Sequence, residues 1–263
     1  MSGAIANTLV SVAGASTIGS AHARSGLPCQ DASAWEYLPG GGCVLVVADG
    51  AGSSPLSDEG ARTTARSIIR TLTRSFTESD PPEPKDVEEV LRGAIEDART
   101  AVRDIADGQG QPETHFSTTV QAAVGYPTFV TFVQLGDGAC VLRRAGSEFY
   151  GLVFPPHEGE YAGETCFLPQ HPSEARPLDI LTAQGPWALV ALLTDGVAGV
   201  AVEHLAHVPA SGFFEPIERL LREHGDEVGT RWLTRELEVG ATAERVSDDR
   251  TLVVALREEE PAP

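Results

Sequence analysis

The sequence is poor in positive charge, in aromatic rings and in sulfur. Lys and Arg together number 19 against 38 Asp plus Glu, a formal net charge of −19. That deficit argues against non-specific binding to nucleic acid or to an anionic membrane surface, since both need basic patches. It suits a protein that gathers cations, although most of its acidic residues are ordinary solvated surface. Aromatic residues make up 6% and methionine occurs once, which argues against an adaptable, Met-rich binding surface. The four cysteines, Cys29, Cys43, Cys140 and Cys166, contain no C-x-x-C spacing. They form neither a disulfide framework nor a zinc knuckle, and a reducing cytoplasm is the simplest setting. No apolar run approaches the ~20 residues needed to span a bilayer. The N-terminal stretch meets its first charge at Arg24, so no basic region marks a secretory signal. There is no G-x-S-x-G elbow, no P-loop and no G-x-G-x-x-G after a strand, and nucleophilic catalysis by Ser or Cys has no support.

What remains is an ordinary globular composition, 263 residues long with 41% hydrophobic and 22% charged residues. It is expected to form one domain over 1–263, frayed over about 257–263. A weak strand pair is expected at 8–12 and 15–19, followed by a polar loop. The run CVLVVA (43–48) reads as a buried strand. Apolar spacings of three and four predict a helix from Ala61 to Phe76, capped by Ser57 and Asp58, and another from Val87 to Ile105. Residues 117–124, 128–134 and 140–145 read as a meander of hairpins. Short strands are expected near 149–154 and 164–168, a buried strand at 188–194, helices at 215–223 and 226–237, and a last strand at 251–256. This order lacks βαβ alternation, so sheets covered by helix pairs fit better than a doubly wound sheet.

One arrangement repeats. Apolar strands end in Asp at Asp49 (CVLVVADG), Asp137 (VTFVQLGDG) and Asp195 (WALVALLTDG), Asp248–Asp249 precede a strand, and Asp31 follows Gln30 in the early loop. Carboxylates held where strands meet loops repel one another if they converge, unless a cation sits among them. An all-oxygen set selects a hard ion, Mg²⁺ or Mn²⁺. The Gly after each Asp permits a sharp turn, and its carbonyl is a possible ligand. Asp–Gly after a strand is also the commonest sort of turn, and each motif alone reads more readily as a hairpin than as a ligand. The pair His204-x-x-His207 lacks a third ligand and reads as a helix-surface pair.

The order Gln30–Asp31, Asp49–Gly50, FSTTVQAAV, Asp137, Asp195–Gly196 and Asp248 in SDDRTLVVAL resembles the type-2C, metal-dependent (PPM-type) protein phosphatases, and GSAHARSGLPCQDA looks most like a bacterial branch. The resemblance runs from residue 19 to 256. It implies an α+β fold, a four-layer α-β-β-α sandwich of two antiparallel sheets flanked by helix pairs. It implies two Mn²⁺ or Mg²⁺ ions, with Asp49 bridging them and the Gly50 carbonyl binding one. Asp31, Asp195 and Asp248 complete the set, and Asp137 matches the residue that holds a third ion. The implied activity is hydrolysis of phosphoserine or phosphothreonine on a protein, opposing a cognate Ser/Thr kinase.

Departures from the family pattern accompany the match. The phosphate-gripping Arg five residues before the early Asp is Gly26 here, and Arg24 is the candidate substitute. The His after the first Asp–Gly is Ala51 here, with His22 as the candidate proton donor; a surface Arg and a hydrogen-bonded loop His are the plainer readings. The eukaryotic Asp four residues after Asp195 is Gly199. Two other classes stay open: a non-catalytic phosphoprotein-binding module on the same scaffold, and a hydrolase of small phosphoesters.

Overall fold

The computed structural model describes residues 10–155, 166–170, 178–203 and 206–258. The first half of the chain forms β1 (Val10–Thr17), α1 (Ser20–Ser25), β2 (Asp31–Leu38), β3 (Gly42–Asp49), α2 (Ser57–Ser75), α3 (Pro84–Gln109), β4 (Val120–Tyr126) and β5 (Phe129–Leu135). There follow β6 (Ala139–Arg144), β7 (Tyr150–Leu152), β8 (Asp179–Gln184), β9 (Trp187–Leu193), α4 (Asp195–Ala201), β10 (Val202–Glu203) and β11 (Val208–Pro209). The chain closes with α5 (Ser211–Val239), α6 (Ala241–Arg245) and β12 (Arg250–Arg257). Two antiparallel sheets, β1-β12-β9-β6-β7 and β2-β3-β4-β5-β8, lie face to face.

The continuous apolar runs arise because these strands are covered on both faces. In β3, Val44, Val46 and Ala48 pack under α2 and α3, while Cys43, Leu45 and Val47 meet the opposite sheet. In β12, Val253 and Ala255 face that same inter-sheet core, and Leu252, Val254 and Leu256 pack under α5. Three apolar layers therefore separate four structural layers, α-β-β-α. The outer helical layer over the first sheet is one element in chain order but two in shape. Gly225 (φ 71°, ψ −169°) breaks α5 where residues 215–223 and 226–237 were expected as separate helices.

Several elements differ from the sequence expectation. Where two strands were expected, at 8–12 and 15–19, the described residues form one, β1, and residues 8 and 9 lie outside the described residues. Gly14 lies mid-strand, where the Trp35 ring comes within 2.7 Å of the place its Cβ would take. The supposed meander is one hairpin, β4–β5, after which Gly136–Asp137–Gly138 carries the chain into the other sheet as β6. Helix α2 has Leu56 at its N-cap with no side-chain cap, while Asp58 pairs with Arg62 at 2.7 Å. Strands β2 and β8 lacked a strand-like pattern because they edge their sheet and leave half their residues partly exposed. Around 164–168, Leu168 forms an isolated bridge with Thr118, and residues 164 and 165 lie outside the described residues. Arg257, placed in the frayed tail by the sequence reading, ends β12 buried, its guanidinium 4.6 Å over the Trp187 ring; residues 259–263 lie outside the described residues. His207 lies in the turn before β11 at φ 51° rather than on a helix, and His204 is outside the described residues.

One buried ion pair fastens α5 to the first sheet. Arg143 on β6 grips Glu218 through Nε (2.7 Å) and Nη2 (3.0 Å), and the Tyr150 hydroxyl donates to the same carboxylate at 2.9 Å. Removing one partner strands the other charge in a dry site. Glu218→Ala is therefore expected to cost about 3–5 kcal/mol in denaturant unfolding. A loss below about 1 kcal/mol, the level of an exposed pair, contradicts this account.

Candidate metal centre

The register between β2 and β3 sets Asp31 directly opposite Asp49. Two carboxylates in that relation destabilise a sheet. Neither can swing away freely, since Asp31 is buried and Asp49 half-buried. The Thr194 hydroxyl, at the end of β9, donates to Asp31 Oδ2 at 2.8 Å and links the two sheets there. Asp195 opens α4 one residue later, and Asp248 stands two residues before β12. Asp137 occupies the corner where the chain changes sheets. Four strand ends and one crossover thus deliver five carboxylates to one end of the sandwich.

Their mutual effect is large. Burial pushes the Asp49 carboxyl up to about 11, with the charges of Asp31, Asp195 and Asp137 adding to it. Burial likewise raises Asp31 to about 7, against the stabilising hydroxyl of Thr194. Asp195 is open to solvent as a residue, yet desolvation of its carboxyl holds it above the usual range, with Asp137 and Asp248 contributing charge. Asp49 and Asp195 also hydrogen-bond each other.

These donors fit hard divalent cations: every one is oxygen, and most are carboxylate. The Gly50 carbonyl adds to the set, because among the described residues no donor takes it. Gly50 N–H donates to the Gln30 carbonyl at 3.1 Å, and Asp49 O accepts from Thr119 N at 2.7 Å and from the Thr118 hydroxyl at 2.9 Å. The glycines serve close approach rather than sharp turns. Neither Gly50 nor Gly196 has positive φ. A Cβ at Gly50 would lie 2.8 Å from Gln30 O, and one at Gly196 would lie 2.1 Å from Asp249 O.

The remaining candidates divide. His22 sits with its Nδ1 2.9 Å from Asp249 Oδ2, and it forms a possible ligand group with Asp248 and Asp249. Arg24 is exposed on α1, and its Nη1 donates to Ser20 Oγ at 3.3 Å. Sequence reasoning missed two participants. Thr194 carried a faint signal, as the residue joining a buried strand to Asp195. Asp249 carried none beyond its neighbour. It is 3% exposed, and its oxygens accept from Gly19 N and Gln30 N at 2.6 Å each. Asp248, by contrast, is open to solvent.

Known proteins share this arrangement of strands and helices. The chain is 29% identical over 252 residues to Serine/threonine-protein phosphatase 3 of Escherichia coli (strain K12), covering 92% of this chain and 96% of that protein. Its fold is similar to that of the serine/threonine phosphatase Stp1 from Staphylococcus aureus (TM-score 0.64, 15% identity, 95% of this chain and 96% of that one). It is also similar to the Mycobacterium tuberculosis serine/threonine phosphatase PstP/Ppp (TM-score 0.62, 17% identity, 95% and 99%). The family model described as protein phosphatase 2C matches residues 18–238, most of the chain and most of the acidic positions above. This chain, with its sandwich and its converging carboxylates, belongs to the protein phosphatase 2C family.

Proposed function

We propose that the acidic end of the sandwich is the catalytic centre of a metal-dependent serine/threonine protein phosphatase, holding Mn²⁺ or Mg²⁺ on Asp31, Asp49, Asp195, Asp248 and the Gly50 carbonyl. Asp137 provides for a further, weaker ion. The observation that carries this reading is geometric: strand register sets Asp31 opposite Asp49, and Asp137, Asp195 and Asp248 stand where neighbouring strands end or begin, a convergence of carboxylates that bound cations stabilise. A pair of such ions, when bound, lowers the pKa of water to give hydroxide near neutral pH and neutralises phosphoryl charge. The chain's own contribution is rigidity. Asp31 and Asp49 are fixed by strand pairing, so no reorganisation accompanies the reaction. Arg24 is free to turn from Ser20 toward a phosphate, where its planar fork suits two oxygens. His22, held against Asp249, serves as proton donor to the leaving hydroxyl.

The substrate is a phosphorylated Ser/Thr protein, and the counterpart is a cognate kinase. All four cysteines are free, in keeping with a cytoplasmic setting. No helix of the described residues is long and apolar enough to cross a membrane.

A phosphothreonine peptide tests the reading directly. Metal-stripped protein is expected to hydrolyse it only after Mn²⁺ is added, and Asp49→Asn to lower kcat at least about 10²-fold while keeping the fold. Normal turnover in that variant removes Asp49 from the chemistry. Arg24→Ala is expected to raise KM about tenfold with kcat little changed, the loss of one charge-assisted phosphate contact; an unchanged KM assigns Arg24 to the surface.

Stability gives an independent check. Asp31 and Asp49 release their protons at higher pH in the folded than in the unfolded chain, where the ordinary value is 3.8. Folding therefore takes up protons, and the stability present at low pH is lost as pH rises through about 7 for Asp31 and toward about 11 for Asp49. The Tm of metal-free protein is expected to fall between pH 5 and 8, less so in Asp49→Asn, and millimolar Mn²⁺ to raise it at pH 8. A pH 8 Tm indifferent to Mn²⁺ speaks against the site.

A further inference from the structure

Asp249 is buried and absent from the proposed ligand set, yet it touches the residues next to Asp31 and Asp195 and orients Asp248 itself. Its Oδ2 accepts from Gln30 N at 2.6 Å, and Gln30 is the residue before Asp31; the Gln30 carbonyl in turn takes the Gly50 N–H at 3.1 Å. Its Oδ1 accepts from Gly19 N at 2.6 Å. Its backbone N donates to Asp248 Oδ1 at 2.8 Å, orienting that carboxylate. Its carbonyl oxygen presses on Gly196, the residue after Asp195, where a Cβ would stand 2.1 Å away. Its Oδ2 also lies 2.9 Å from His22 Nδ1.

We infer that Asp249 is a positioning residue whose carboxylate and backbone together set the spacing of Asp31, Gly50, Asp195 and Asp248, and so the affinity of the cation centre. The inference rests on the proposed catalytic reading of that end of the sandwich. The chemistry needs a carboxylate here. Two backbone N–H groups from different segments point at this one side chain, and a carboxyl group, unlike an amide, has an oxygen for each. Asn at 249 keeps the shape but turns an NH₂ toward one of those N–H groups, leaving it unsatisfied in a buried site. The segments bearing Gln30 and Gly19 then lose a shared anchor, while the register of the sheets, set by backbone pairing, stays as it was.

The test measures Mn²⁺ binding to metal-stripped protein by titration calorimetry, together with denaturant unfolding in chelator and phosphopeptide kinetics. Asp249→Asn is expected to weaken Mn²⁺ binding about 10- to 100-fold, as loss of a group orienting metal ligands does elsewhere. Saturating Mn²⁺ is expected to restore a large part of kcat. Glu218→Gln, which weakens the fold at a site remote from the cleft, is expected to keep wild-type Mn²⁺ affinity and separates positioning from general destabilisation. Gly196→Ala is the independent arm, since its methyl group pushes the same contact apart from the other side; it is expected to weaken Mn²⁺ binding too, and it carries the test if Asp249→Asn does not fold. An Asp249→Asn affinity within threefold of wild type overturns the inference, as does an equal loss in Glu218→Gln. Wild-type protein that binds Mn²⁺ but hydrolyses no phosphopeptide overturns the catalytic reading instead, and leaves the affinity comparison standing.

Discussion

The repulsion between Asp31 and Asp49, held face to face by the pairing of β2 with β3, is the constraint on which the rest of this structure depends. A sheet does not place two carboxylates opposite one another without a compensating charge. Here the compensation within the chain is partial. Thr194 supplies one hydroxyl, and burial with the neighbouring charges raises the Asp49 carboxyl far above its ordinary range. The apolar layers on both sides of the two sheets supply the stability against which this local strain is held. The cost of assembling the cluster is thus met once, during folding, and the reacting groups need not gather again at each turnover.

The second sheet contributes the fixed part of the centre and the first sheet its more open part. Asp31 and Asp49 are set by ladder hydrogen bonds, whereas Asp195 begins a short helix and Asp248 lies in a loop. The loops are disciplined by backbone contact instead of pairing. Gly19 against Asp248, Gly50 against Gln30 and Gly196 against Asp249 allow main chains to approach where any side chain would intervene. Arg250 adds to this, its guanidinium reaching the carbonyls of Ile18, Val246 and Ala243.

Much of this was legible in the sequence, and the reason is periodicity. The doubly covered strands β3, β9 and β12 announce themselves as unbroken apolar runs, and α2 and α3 as stripes at helical spacing. Four of the five aspartates were legible because each follows or precedes an apolar run, and Asp31 through its place after Gln30 in the order that resembles the family. What escaped detection lacked a pattern. Strands β2 and β8 edge a sheet and mix polar with apolar residues, and β1 runs unbroken past Gly14, where the Trp35 ring arrives from a strand that was itself unseen. Asp249 was hidden by its neighbour. Two adjacent aspartates look alike in one dimension, and only three dimensions show one open to solvent and the other enclosed by backbone N–H groups. The helix expected from Ala61 to Phe76 formed as α2, but without the cap expected from Ser57 and Asp58, and Asp58 pairs with Arg62 instead.

The chain crosses between the sheets at both ends of the sandwich, through Gly136–Asp137–Gly138 beside the acidic cluster and through Gly185–Pro186 at the opposite end. Stitched at two ends, the layers are tied together on either side of the core rather than along one edge. The acidic end therefore has a base set by ladder hydrogen bonds, at Asp31 and Asp49, beneath loop residues around 19–30, 195–196 and 246–249 that no ladder holds. Whatever meets this end of the sandwich meets loops first and a paired sheet behind them.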